Sequence, residues 1–258
     1  MSAQSRDAGA AGTTAVTTDA PADARCYLAE GVGTAILVLV GPGAAMVAAR
    51  THAFGHAGVA LAFGLVVTLL VAAFGATSGA HLNPAVTLAF WSAGRFPGRA
   101  VPPYVAAQCA GAAAASLALR WLLGPVGGLG ATAPALDLPR AFAVEAGYSA
   151  VLMLVILAVA TDERVPRGVP PFVIGATVGA GALVTGPLTG GSFNPARSLG
   201  PAVAGGGWTA HWLYWAAPTL GMLAAARLYE YLRGANPPAV VPRGVPLGVE
   251  GPIDASGV

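Results

Sequence analysis

Six long apolar runs dominate the pattern of hydrophobic and polar positions along the 258-residue chain. Each run has roughly the 20 residues that an α-helix needs to cross the hydrocarbon core of a bilayer, whereas strands of a membrane β-barrel are shorter and alternate in polarity. The pattern therefore predicts an all-α integral membrane protein with six transmembrane helices. The predicted spans cover residues 26–49, 57–76, 101–124, 141–160, 169–188 and 211–232.

The two ends of the chain do not share this apolar character. Residues 1–24 consist mainly of Ala, Thr, Gly, Ser and Asp, and residues 234–258 are rich in Pro and Gly. Segments with so little to bury are predicted to be disordered tails. The membrane domain is then residues 25–233, and residues 1–25 contain no apolar core of the kind that a cleavable signal peptide requires.

Composition and charge agree with a membrane protein. The chain is 55% hydrophobic and 9% charged, whereas a soluble domain carries about a quarter charged residues. The net charge of +2 is too small to indicate a nucleic-acid partner. Arginines in the connecting segments favour one side of the bilayer, together with both termini. The positive-inside rule therefore predicts a cell-membrane protein, embedded in the lipid bilayer, with both termini in the cytoplasm.

A tripeptide repeats in the two halves of the chain. Asn83-Pro84-Ala85 follows the second span and Asn194-Pro195-Ala196 follows the fifth, while Glu30 and Glu145 lie 53 and 49 residues before the two asparagines. Each half, residues 25–124 and 140–233, has three spans. A tandem repeat of three spans must insert in opposite orientations, which predicts an inverted repeat with a site near the midplane.

Each tripeptide predicts the start of a short helix. Asn is a preferred N-cap and Pro is favoured at the first helical position. A helix of about ten residues is about 15 Å long, half of the hydrocarbon core. The sequence therefore predicts two re-entrant half-helices that enter from opposite faces and meet at their N-termini, together forming a seventh span.

The residues that precede the two half-helices are expected to be irregular. Non-helical backbone at membrane depth is tolerated only where it is buried in protein or lines a watery cavity. We therefore expect carbonyl groups of these segments to line a pore, with the Asn side-chain amides as donors where they meet. The predicted pore-lining backbone comprises Gly79, Ala80, His81, Gly190 and Ser192, with Gly191 beside them.

Three charged residues fall inside apolar segments, where a charge is costly and usually functional. Arg197 lies one turn into the second half-helix. Glu30 and Glu145 have two interpretations. Either they accept hydrogen bonds from the irregular loop of their own half and brace it, or they carry protons in an ion-coupled transporter. His81 leaves a similar choice between a loop brace and a proton relay.

These motifs resemble a known family. The paired glutamates and the two stretches "SGAHLNPAVT" and "NPARSLGPA" resemble the aquaporin (major intrinsic protein) family over about residues 26–233. "RFPGRAVPPYVAAQ" and "VATDE" are most similar to nodulin-like intrinsic proteins of plants and their bacterial relatives. The resemblance implies a homotetramer with a pore in every subunit and no enzyme activity. Nothing in the sequence indicates a cofactor or a metal site.

The resemblance also implies a selectivity filter formed by Phe63, Ala182, Gly191 and Arg197. Water-selective members of the family have a histidine at the position that Ala182 occupies, so the opening should be wide and partly apolar. The implied function is passive diffusion of water and small uncharged solutes, such as glycerol and the metalloid hydroxides arsenite and boric acid. Ions and protons would be excluded.

Some positions away from the constriction are nevertheless of the water-selective type, namely Ser198, Ala202 and Tyr214-Trp215. A mainly water-conducting channel is therefore the alternative within the family. An ion-coupled secondary transporter is the alternative outside it, because such transporters also use inverted repeats and broken helices.

Overall fold

The computed structural model describes residues 24–234, and this part of the chain is built of helices without strands. The disorder predicted for residues 1–24 and 234–258 falls almost wholly outside the described residues. Ala24 already belongs to the first helix, which therefore begins one residue inside the predicted N-terminal tail. The eight α-helices are α1 (Ala24–Thr51), α2 (Gly55–Ser78), α3 (Pro84–Ser92), α4 (Val101–Leu123), α5 (Leu138–Ala160), α6 (Val169–Thr189), α7 (Pro195–Pro201) and α8 (Leu213–Arg233).

Six of these helices correspond to the six predicted spans. Within residues 24–234, five helices are both long enough and apolar enough to cross a membrane: α1, α2, α4 with its preceding turn, α5 and α6. Helix α8 has 21 residues, but Arg227, Glu230 and Arg233 lie in its last two turns and make it less apolar. These charges are at the end of the helix, where long side chains can reach the membrane surface.

The two short helices α3 and α7 are the predicted half-helices, with nine and seven residues. Each starts with proline at its first position. Their N-terminal residues are buried, with Ala85 and Ala196 inaccessible to solvent. A short turn, Ala202–Gly206, follows α7. The half-helices therefore lie inside the bundle, surrounded by the longer helices.

Small residues allow the long helices to approach closely at equivalent positions of the two halves. A Cβ atom added at Gly111 in α4 would overlap the carbonyl oxygen of Gly31 in α1. In the second half, a Cβ added at Gly221 in α8 would overlap the carbonyl oxygen of Ala146 in α5. Close approach through small residues is the usual packing device between helices in a bilayer. The same contact therefore holds one helix pair together in each half.

The two halves are joined by α2 and α6. A Cβ at Gly64 would lie 3.0 Å from the carbonyl oxygen of Gly175 and 3.1 Å from Cα of Gly179. Gly179 and Gly181 of α6 have different roles. Gly179 packs on α2, whereas Gly181 leaves room for the rings of Tyr148 and Phe193.

Filling either of the contacts at Gly111 (α4 with α1) and Gly221 (α8 with α5) should destabilise the protein. Gly111→Ala and Gly221→Ala should each lower the free energy of unfolding by about 1–3 kcal/mol, because an added methyl overpacks a backbone contact. Gly75→Ala is the matched control, since its added Cβ meets nothing within 4 Å. It should be neutral or slightly stabilising through helix propensity. Thermal unfolding of the purified protein in detergent measures all three, and equal transition temperatures would contradict the packing argument.

Candidate functional site

Asn83 and Asn194 cap the two half-helices. Both have extended backbone, with φ of −159° and −149°. Asn83 Oδ1 accepts a hydrogen bond from Ala85 N at 2.9 Å, and Asn194 Oδ1 accepts from Ala196 N at 3.0 Å and Arg197 N at 3.1 Å. The cap fixes the side-chain amide, because the oxygen must face its own helix and the nitrogen must point away from it.

Each cap also bonds to the opposite half of the protein. Asn83 Nδ2 donates to the carbonyl of Phe193 at 2.7 Å, and Asn194 Nδ2 donates to the carbonyl of Leu82 at 2.7 Å. These reciprocal bonds bring the N-termini of α3 and α7 together at the centre of the bundle. Each Nδ2 uses one of its two hydrogens in this way, and an amide nitrogen has a second to offer.

The loops before the half-helices share one backbone pattern. Gly79 and Gly190 end α2 and α6 in the left-handed conformation, with φ of 85° and 87°. The next positions, Ala80 and Gly191, have φ of 48° and 55°, and Leu82 and Phe193 have φ of 51° and 53°. Left-handed backbone at a residue other than glycine costs of order 1–3 kcal/mol and persists only where its surroundings impose it.

Glu30 holds the loop of the first half in this conformation. The residue is fully buried. Its Oε1 accepts hydrogen bonds from Ser78 Oγ at 2.7 Å and His81 N at 2.9 Å. Its Oε2 accepts from Leu82 N at 2.6 Å and Gln108 Nε2 at 2.7 Å. Four donors therefore converge on one carboxylate, and two of them are amides of the irregular loop.

Glu145 has the matching position in the second half and is also fully buried. Its Oε1 accepts from Thr189 Oγ1 at 2.6 Å and Ser192 N at 3.0 Å, and its Oε2 accepts from Phe193 N at 3.0 Å. These are the contacts that a loop brace requires. The functional assignment of both glutamates stays a prediction.

Several contacts of this framework were not predicted from the sequence. The hydroxyl groups of Tyr104 and Tyr214 donate to the carbonyls of Ser78 at 2.9 Å and Thr189 at 2.6 Å, at the start of each loop. Gln108 Nε2 also donates to Thr87 Oγ1 at 3.0 Å. Pairs such as Ser78/Thr189 and Tyr104/Tyr214 recur at nearly the offset that separates the two asparagines. A comparison of the two halves of the sequence beyond the tripeptide would have identified these pairs.

His81 lies in an aromatic pocket on the first-half side of the bundle. Its ring stacks on Phe90 with a centroid distance of 4.8 Å, and Phe96 and Tyr104 lie at 4.9 and 5.4 Å. His81 Nδ1 is 3.1 Å from Thr87 Oγ1. Ser192 is the equivalent residue of the second half, and its Oγ contacts Ser198 Oγ at 2.5 Å. Both residues thus bond to the half-helix that follows them.

A cavity of about 320 Å³ brings the four predicted filter residues together. Phe63 and Ala182 enter it from α2 and α6, Gly191 from the second loop and Arg197 from α7. Of the predicted pore-lining backbone, Gly190 also lines this cavity. Gly79, Ala80, His81 and Ser192 are outside its lining.

Arg197 is held firmly beside this cavity. Its guanidinium carbon lies 5.0 Å from the centroid of the Phe63 ring, and its Nη1 donates to the carbonyl of Gly130 at 2.8 Å. Gly130 belongs to the turn Gly127–Gly130, which connects α4 to α5. This turn was not predicted to reach the site. No local sequence signal marks it, because a backbone carbonyl is present at every residue.

The arrangement is that of a membrane channel with an inverted repeat, and comparisons with known proteins agree. The sequence profile of the Major intrinsic protein family matches residues 17–229. Aquaporin NIP1-3 of Oryza sativa subsp. japonica is 44% identical, over 83% of this chain and 76% of its own. The probable aquaporin AqpM of Archaeoglobus fulgidus is 43% identical, over 81% of this chain and 97% of its own.

A solved structure shows the same fold. The aquaglyceroporin from Plasmodium falciparum superposes with a TM-score of 0.72 at 26% identity, covering 80% of this chain and 95% of that chain. The chain therefore belongs to the major intrinsic protein family of aquaporin and aquaglyceroporin channels. It is a multi-pass membrane protein of this family, as the sequence motifs predicted.

Replacing either buried carboxylate by an amide should destabilise the loop that it contacts. In Glu30→Gln, one of the two acceptor oxygens becomes an NH₂ group that faces donors, so about two of the four bonds are lost. Hydrogen bonds to charged groups are worth about 1.5–3 kcal/mol each. We expect a lower thermal transition temperature for Glu30→Gln and Glu145→Gln, and no change for the control Glu163→Gln in an exposed loop. Wild-type stability in both buried variants would contradict the brace interpretation.

Proposed function

We propose that this chain is a passive channel for small uncharged solutes, namely glycerol and metalloid hydroxides such as arsenite or boric acid, together with water. The observation that carries this proposal is the cavity that joins Phe63, Ala182, Gly191 and Arg197. Two of its four filter positions have almost no side chain. Arg197 offers donors to oxygen atoms of a solute, and Phe63 offers an apolar wall to a carbon backbone.

The positions that favour a water-selective channel lie elsewhere. Ser198, Ala202 and Tyr214 are buried and do not line the cavity. Ser198 bonds to Ser192 and to Thr132, whose Oγ1 donates to it at 2.9 Å. Tyr214 bonds to the carbonyl of Thr189 at the start of the same loop, so Ser198 and Tyr214 support the loop instead of setting the width of the opening. They therefore count less than the small side chain of Ala182 for the choice of solute.

Ion and proton exclusion is part of the same proposal. The N-termini of α3 and α7 face each other, and each helix N-terminus carries roughly half of a positive charge. Arg197 adds a full positive charge beside the cavity. Opposed half-helix dipoles and an arginine raise the energy of a cation in a narrow pore. Among residues 24–234, no carboxylate that could carry protons in a coupled transporter lines the cavity.

We further propose that the protein assembles as a homotetramer in the cell membrane, with both termini in the cytoplasm. The assembly rests on the family resemblance, and the orientation on the arginines of the connecting segments. No enzyme activity is expected from a channel of this family.

Adding an imidazole at the filter should convert the solute preference. Ala182→His removes several ångströms of width, on the order of one ring. Permeability to glycerol and boric acid should fall sharply while water permeability stays within about a factor of two or three. Ala182→Ser is the control, because it adds a single oxygen atom and leaves the width nearly unchanged. Stopped-flow light scattering of vesicles measures water and solute flow separately. A wild-type protein that passes water but excludes glycerol would support the water-selective alternative.

Transport should be passive and electrically silent. Proteoliposomes should equilibrate glycerol without accumulating it, with or without an imposed proton or sodium gradient. Arg197→Val should weaken the positive barrier and widen the opening, so that proton leak and solute permeability both increase. Arg140→Val, at an arginine whose side chain is 78% exposed, is the control. Accumulation above the external concentration would instead indicate a coupled transporter.

A further inference from the structure

The filter cavity has very few polar side chains. Fifteen residues line it, and His56 and Arg197 are the two that have polar side chains. The remaining lining consists of Gly, Ala, Val and Phe residues. A solute that leaves water to enter this cavity can therefore exchange hydrogen bonds with only these two side chains and with the backbone.

The hydrogen bond of His56 defines what its ring can offer. His56 lies in the first turn of α2, is exposed, and places Nε2 2.8 Å from the carbonyl oxygen of Leu183 in α6. A carbonyl oxygen only accepts, so Nε2 must carry the hydrogen. In the neutral imidazole, Nδ1 is then an acceptor. Within residues 24–234, Nδ1 has no hydrogen-bond partner.

Arg197 offers the opposite chemistry. A guanidinium has only donors. Its Nη1 is occupied by Gly130, whereas its Nε is buried without a partner in the described part of the chain. The lining thus combines a donor group on α7 with an acceptor on α2. Leu183, which orients the imidazole, directly follows the filter residue Ala182.

We propose that His56 is a second specificity-determining residue, which accepts a hydrogen bond from a hydroxyl group of the solute at the mouth of the filter. The inference rests on the proposed function and deepens it, since it names polyhydroxyl solutes as the class that both side chains can hold at once. Oxygen atoms of such a solute accept from Arg197, while its O–H groups donate to His56 Nδ1.

Water depends less on this acceptor than a larger solute does. In a wide opening, water molecules keep one another as hydrogen-bond partners. A molecule the size of glycerol displaces these neighbours and loses their hydrogen bonds, and leaving a polar group unpaired is costly. Removal of His56 Nδ1 should therefore lower solute permeability more than water permeability.

Two amide substitutions separate recognition from structure. His56→Gln places its amide near the position of Nε2, so it keeps the donor to Leu183 but not the acceptor at Nδ1. His56→Asn places an oxygen near the position of Nδ1 but is too short to reach Leu183. His56→Leu removes both groups. The measurement is stopped-flow permeability of vesicles to glycerol, boric acid and water, together with thermal stability in detergent.

The expected result is that the solute-to-water permeability ratio falls about threefold to tenfold in His56→Leu and His56→Gln, as for loss of one hydrogen bond. The ratio should stay within about twofold in His56→Asn, although this variant should be less stable than His56→Gln. If His56 had only a structural role, the ratio should fall in His56→Asn and stay unchanged in His56→Gln. That result, or unchanged ratios in all three variants, would overturn the inference.

The two proposals fail in different ways. If the wild-type protein passes water but neither solute, the proposed function is wrong and the role of His56 falls with it. If the wild-type protein passes solute and only the ratios in the variants disagree, the channel assignment stands and the inference about His56 is wrong. The Gln and Asn variants decide the matter even if His56→Leu does not fold.

Discussion

The need to satisfy backbone groups inside the bilayer shapes this structure more than any other constraint. Two loops interrupt the helical ladder at membrane depth, where unsatisfied amide and carbonyl groups cost several kcal/mol each. Glu30 and Glu145 accept hydrogen bonds from loop amides that have no helical partner, and the caps Asn83 and Asn194 bond to carbonyls across the centre. The irregular backbone can then persist beside a cavity, which is what a channel requires.

The inverted repeat applies this solution twice, but the two halves are not copies. Gln108 adds a fourth donor to Glu30, whereas the equivalent region of α8 has Pro218 and Glu145 has three donors. His81 packs among aromatic rings in one half, and Ser192 bonds to Ser198 in the other. The second half also carries Arg197. The two halves therefore share one framework that supports their loops, and of these asymmetric residues Arg197 is the one that lines the cavity.

Arg197 shows how the framework and the filter are connected. Its backbone amide helps to cap α7 by donating to Asn194, while its side chain donates to Gly130 and lies over Phe63. Two separate parts of the chain thus contact the guanidinium, and a third holds the backbone that carries it. In the channel that we propose, a fixed donor beside small side chains would select by size and hydrogen bonding together, because neither the arginine nor the wall can adjust much to a wrong solute.

Much of the fold could be predicted from the sequence, for identifiable reasons. Apolar run length indicated six spans, Asn-Pro indicated two helix starts, and the recurrence of both motifs indicated the inverted repeat. These signals are local or periodic, so one chain suffices to find them. The resemblance to a family suggested Phe63, Ala182, Gly191 and Arg197, although Phe63 and Arg197 lie more than 130 residues apart.

Only the tertiary structure decided that Gly130 accepts from Arg197, that Gln108 contacts Glu30, and that His56 reaches the filter cavity. These contacts depend on how separate helices and a connecting turn pack, and no spacing along the chain encodes that distance.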